Sequence, residues 1–112
     1  MAEASIMDAL MKVIAERKAQ TEGKPSYVAN LMKGGAAAIS AKIIEEAAEV
    51  VEASDAPGDA GREHLVKEVA DLVFHTAVLL GFRDLAWGDV EAELARRFGT
   101  SGLTEKASRS PK

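Results

Sequence analysis

Five carboxylates stand at helical spacing in two stretches, Glu45-Glu46-Ala-Ala-Glu49 and Glu68-Val-Ala-Asp71. Their neighbours are Ile, Val and Ala, and in an apolar run a carboxylate is costly unless positive charge faces it. Acids gathered in one cleft repel one another, and in the empty state some would bind protons instead. A hard divalent cation removes that penalty. All-oxygen ligation suits Mg²⁺ or Mn²⁺, and Mg²⁺ keeps waters that substrate phosphates displace. A lone Glu-x-x-x-Glu is usually a solvated face. A second acidic pair on an equally apolar helix reverses those odds.

The spacing aims the acids. With Glu45 at zero on a helix, Glu49 lies at about 40°, Lys42 at about 60° and Glu46 at about 100°. Ile39, Ile43, Ile44, Ala47, Ala48, Val50 and Val51 fill most of the remaining circumference. With Glu68 at zero, His75 falls near −20°, His64 near −40° and Asp71 near −60°. Val66, Val69, Ala70, Val73, Phe74, Ala77 and Leu80 occupy the other side. The turn-rich linker Ser54–Asp59 is short, so the two helices are expected to pair antiparallel with their acidic stripes facing.

The elements around this pair are also helical. One helix is expected over about 5–17, opened by Ser5 or Glu3, with Ile6, Leu10, Val13 and Ile14 on one stripe. Thr21-Glu-Gly-Lys-Pro25 breaks the chain, and Ser26 opens a short helix carrying Tyr27, Leu31 and Met32, ended by Gly34-Gly35. The acidic helices follow over about 36–53 and 60–80, the second closed by Gly81. A last helix over 89–98 takes Asp89 as its N-cap, with Trp87 packed beneath it. No strand is expected. The fold class is all-α, an antiparallel bundle of four to five helices, with a single domain over 1–98 and a frayed tail over 99–112. Two helices apolar almost all round cannot both be buried in so small a monomer, so a homodimer is expected.

Composition narrows the function. A net charge of −4 argues against a nucleic-acid-binding module, and the absence of cysteine excludes thiolate metal sites and cysteine catalysis. The longest apolar run, Thr76 to Gly81, is too short to span a bilayer. The first residues lack the basic and apolar regions of a secretory signal, so a soluble cytoplasmic protein is expected.

The motifs Glu46-x-x-Glu49 and Glu68-x-x-Asp71 are similar to the ExxE and ExxD pair of the all-α NTP pyrophosphatases, the group that includes MazG and the dimeric dUTPases. Within it, the chain resembles the phosphoribosyl-ATP pyrophosphohydrolases of histidine biosynthesis. The residues that carry this are Val13-Ile-Ala-Glu-Arg-Lys18, Ser26-Tyr-Val-Ala-Asn-Leu31 with Lys33-Gly34, Lys42-Ile-Ile-Glu-Glu-Ala-Ala-Glu-Val-Val51, and Ala70-Asp-Leu-Val-Phe-His75 with Val78-Leu-Leu80. The likeness runs from about 10 to 97. Phe74 stands where Tyr is common, and Gly34-Gly35 with three alanines replaces a more charged loop.

The resemblance implies hydrolysis of 1-(5-phosphoribosyl)-ATP between its α and β phosphates, giving phosphoribosyl-AMP and pyrophosphate. It implies Mg²⁺, with Mn²⁺ as a substitute, held by Glu46, Glu49, Glu68 and Asp71. Glu45, at the edge of the stripe, is expected to ligate through water or to orient the attacking water. Lys42, Lys33, Arg17 and Lys18 are the candidates for the substrate's phosphates. For Lys42 an internal ion pair with Glu46 is an equal alternative, and for Arg17 and Lys18 a solvated helix end is the commoner role. His75 is a candidate to orient the Asp71 carboxylate or bond substrate, although a satisfied semi-buried histidine is the more usual outcome. Tyr27 is placed either on the purine or, more commonly, as a core or interface anchor. The resemblance also implies a homodimer. A noncanonical-NTP pyrophosphatase is the competing enzyme, and a helical dimerisation module with interface salt bridges is the non-enzymatic alternative.

Overall fold

The chain was described from a computed structural model, which covers residues 5–20, 23 and 26–98. The proposed start at Glu3, the tail over 99–112 and most of the 21–25 break lie outside the described residues. Four helices follow in order: α1 (Ile6–Ala19), α2 (Tyr27–Ala53), α3 (Gly58–Phe82) and α4 (Trp87–Phe98), with no strand among the described residues.

Caps fix the helix starts. The Ser5 hydroxyl accepts from the Asp8 N–H at 3.1 Å, and the Ser26 hydroxyl accepts from the Ala29 N–H at 3.0 Å. Gly34-Gly35 does not separate two independent helices. It leaves one kinked helix, because Gly35 alone departs from helical geometry (φ 72°, ψ −168°), a conformation open essentially to glycine. Residues 27–34 are thereby turned relative to 36–53.

Two boundaries differ from the sequence expectation. Helix α3 runs through Gly81, because that glycine serves packing rather than termination: a β-carbon there would overlap Ile14 Cγ2 of α1. The chain turns three residues after Gly81, with Asp84 in the left-handed region at φ 59°. Lys18 fixes this end, its ammonium donating to the Phe82 carbonyl at 2.8 Å and to Asp84 Oδ1 at 2.7 Å. Asp89 is not the N-cap of α4. It lies within the first turn, and its carboxylate reaches back to accept from the Ala86 N–H at 2.8 Å while its own N–H donates to the Ala86 carbonyl. Trp87 is half-buried at the start of the helix.

Helices α2 and α3 form the principal pair, with α1 laid across them and α4 only lightly attached. The core is Ile14, Val28, Leu31, Ile39, Ala77 and Val78, flanked by Met7, Leu10, Met11, Met32, Ile43, Phe74, Leu79 and Phe82. It therefore joins α1 to the first part of α2 and the last part of α3. The turn between α2 and α3 lies at the other end, and the acidic residues fall between that turn and the core.

Candidate active site

The antiparallel pairing brings α2 and α3 carboxylates together. One oxygen from each of Glu45, Glu46 and Glu49 lies within 4.8 Å of the others, and so does one from each of Glu46, Glu68 and Asp71. Glu46 belongs to both sets and is only 6% exposed, so it is the hinge of the cluster. Oxygens bound to one ion at about 2.1 Å sit at most about 4.2 Å apart, so groups already within 4.8 Å need little or no closure to hold one.

Among the described residues, positive charge nearby is scarce. Lys42 Nζ lies 3.1 Å from Glu45 Oε1 and 3.6 Å from Glu46 Oε2, so one ammonium faces this end of the cluster. The Glu45 hydrogen bond is the main cause that holds the Lys42 pKa above its ordinary value. His64 Nδ1 stands 3.6 Å from Glu68 Oε2. The other oxygen, Glu68 Oε1, is buried with no hydrogen-bond partner. A carboxylate oxygen in that state carries a desolvation cost that a cation would offset. Repulsion by Glu46 pushes the Glu49 pKa up, reinforced by burial and by the nearby Glu68 and Glu45 carboxylates. The donor set is all oxygen, in excess of the available protein cations, with one lone pair orphaned. It fits a hard divalent ion.

The other sequence candidates are distributed differently. Arg17, Lys18 and Lys33 line one hollow with Gln20, Ala29, Met32 and Phe82. Phe82 lies eleven residues beyond Asp71 on α3, about 16 Å along a helix. Within one chain this hollow is therefore separate from the carboxylates. Lys18 already spends its ammonium on the end of α3. His75 is buried and its Nδ1 bonds the backbone carbonyl of Asp71 at 2.7 Å, not the carboxylate. Its Nε2 lies 2.6 Å from the Tyr27 hydroxyl. That bond joins residues 48 apart in sequence, and nothing in their spacing announces it.

An all-helical fold whose central antiparallel pair gathers an ExxE and an ExxD cluster is the architecture of the MazG-like all-α pyrophosphohydrolases. The comparisons with known proteins narrow the class. The family model described as Phosphoribosyl-ATP pyrophosphohydrolase matches residues 7–98. A phosphoribosyl-ATP pyrophosphatase of Rhodopirellula baltica is 51% identical over 95% of this chain and 88% of its own length. Proteins of the same name from Geobacter metallireducens and Neisseria meningitidis are 50% and 49% identical, covering 93% and 95% of this chain and 92% and 95% of their own. The chain belongs to the phosphoribosyl-ATP pyrophosphohydrolase family.

Proposed function

We propose that this protein hydrolyses 1-(5-phosphoribosyl)-ATP to 1-(5-phosphoribosyl)-AMP and pyrophosphate, the second step of L-histidine biosynthesis, as a cytoplasmic homodimer. The relatives' names and the family match support the reaction. The strongest structural support is Glu68, whose buried, unpartnered oxygen lies within a cluster of acids whose mutual repulsion bound divalent cations would relieve.

Glu46, Glu49, Glu68 and Asp71 are the residues that would hold Mg²⁺, with Mn²⁺ as a substitute. Once bound, the ion offsets the charge of the phosphates and polarises the phosphoryl oxygens. The chain's own groups do the rest. Glu45, exposed at the edge of the cluster, orients the attacking water and takes its proton. Lys42 is poised to exchange its pairing with Glu45 and Glu46 for a phosphate oxygen. Arg17 and Lys33 reach phosphates only where a second subunit carries their hollow to the carboxylates. Lys18, holding the end of α3, stays structural.

Assaying pyrophosphate release from phosphoribosyl-ATP against a panel of canonical and noncanonical NTPs tests the reading. Turnover confined to phosphoribosyl-ATP supports it, and preference for free NTPs transfers the chain to the nucleotide-sanitising activity. Calorimetry with Mn²⁺ tests the ion separately, since absence of saturable binding removes the metal.

A further inference from the structure

His75 sits one helical turn after Asp71 and is 5% exposed. Its Nδ1 lies 2.7 Å from the Asp71 carbonyl oxygen. A carbonyl only accepts, so in the neutral ring Nδ1 carries the hydrogen and Nε2 is left with a bare lone pair. Nε2 lies 2.6 Å from the Tyr27 hydroxyl. Tyr27 must then donate. A phenol has one hydrogen, and with that hydrogen spent on His75 its oxygen has only acceptor capacity left.

The ring of Tyr27 is held firmly. It meets His75 edge-on (centroids 5.6 Å, 90°) and stacks on Phe74 (6.3 Å, 22°), yet the residue remains 49% exposed. A ring fixed on two sides and open on another presents an oriented group to solvent rather than anchoring a core. Its position follows from its partners. His75 is bonded to the backbone of Asp71, a cluster acid one helical turn away, and Tyr27 is bonded to His75. Tyr27 therefore stands at the rim of the carboxylate cluster, across the Gly35 kink from it.

We propose that Tyr27 contacts substrate as a hydrogen-bond acceptor, receiving a sugar hydroxyl or a base N–H of the nucleotide, and that His75 is the positioning residue that sets this polarity. The proposal rests on the hydrolase reading above. Phosphate oxygens bear no hydrogen to offer such a group. Tyr27 thus selects the neutral part of the substrate, while Lys42 and a cation held by the acids would take the anionic part.

Two measurements test it. Long-range ¹H–¹⁵N spectra of the metal-free chain at neutral pH should show His75 protonated at Nδ1 alone; hydrogen on Nε2 would overturn the proposal before any assay. In kinetics, Tyr27→Phe keeps the ring and should raise KM about tenfold, the effect of losing one hydrogen bond, with kcat within about twofold. His75→Phe should raise KM by a smaller factor, and the double variant should be no worse than Tyr27→Phe, because both changes remove one interaction. Circular dichroism and the melting midpoint establish that each variant is folded. Analogues lacking the 2′- or 3′-hydroxyl assign the donor: the correct one is handled equally by wild type and Tyr27→Phe, and if none is, the donor is on the base. An active Tyr27→Phe with unchanged KM sinks the tyrosine's role alone. A wild-type chain without turnover sinks the hydrolase reading and this proposal with it.

Discussion

At the scale of the residue, the cluster is under electrostatic strain that pH and metal should both relieve. The Glu49 pKa is raised from the ordinary 4.5, chiefly by Glu46. An acid whose folded pKa exceeds its unfolded one adds stability while protonated, fully below about 4.5, and loses it as pH rises through the folded value. Metal-free protein should therefore lose this contribution as pH climbs from 4.5 towards neutrality. Glu49→Gln should flatten that part of the profile, as melting curves in chelator will show. Mg²⁺ should raise the wild-type midpoint more at neutral than at acid pH, since protons compete with the ion for the carboxylates. An equal slope in wild type and Glu49→Gln would mean that Glu49 is not the group responsible. Asp71→Asn keeps size and helix but removes a charge from the ligand set. It should lower kcat/KM by at least roughly a hundredfold, about 2.7 kcal/mol, with an unchanged circular dichroism spectrum. Activity retained within tenfold would take Asp71 out of the set.

At the scale of the element, one glycine decides how the site is assembled. Gly35 is the single non-helical residue inside α2, and its turn carries Tyr27 back against α3. Gly35→Ala should cost about 1–3 kcal/mol in urea unfolding, because a side chain is strained at φ 72° even though open space surrounds it. Gly88→Ala is the control: its β-carbon also meets nothing, and replacing glycine in a helix should be neutral or stabilise by up to about 1 kcal/mol. Similar losses in both would remove the kink argument. These elements also show what the sequence reveals. Acid spacing on α2 and α3 was readable because helical period and a short linker together determine which residues face one another. The Gly34-Gly35 break was readable as a stop but not as a kink, since the contacts of Val28, Leu31 and Tyr27 with the rest of the fold, which hold the first half in place, are tertiary. Gly81 misled, because a glycine needed for close approach to Ile14 looks like a terminator in sequence. The Tyr27–His75 bond and the Lys18 clamp on α3 depend on tertiary approach, which no local pattern encodes.

At the scale of the whole molecule, the apolar faces left open define the assembly to be tested. On α2, Ala37, Ala41, Ile44, Ala48 and Val51 follow at steps of four, three, four and three, and all are exposed. Ile44 is 71% and Val51 69% exposed, and Val66 on α3 is 68% exposed. Alanines interspersed with Ile44 and Val51 at heptad spacing suit a close helix–helix seam. A twofold axis would bury each of these side chains twice. A monomer and a dimer respond oppositely to Ile44→Glu. On a monomer the change is a surface substitution, worth within about 0.5 kcal/mol. In a dimer it removes two buried isoleucines at about 2–3 kcal/mol each, enough to weaken association by a thousandfold or more. Sedimentation should therefore give twice the chain mass for wild type and the single mass for Ile44→Glu. The wild-type melting midpoint should rise with protein concentration, as it does for linked folding and association. Arg17 and Lys33 add a second readout. If their hollow reaches the carboxylates only across the interface, mixing Ile44→Glu chains at low concentration should leave KM for substrate raised even where Mn²⁺ binding persists. A wild-type chain that sediments as a monomer with full activity would confine the site to one subunit and leave Lys42 as its phosphate-facing cation.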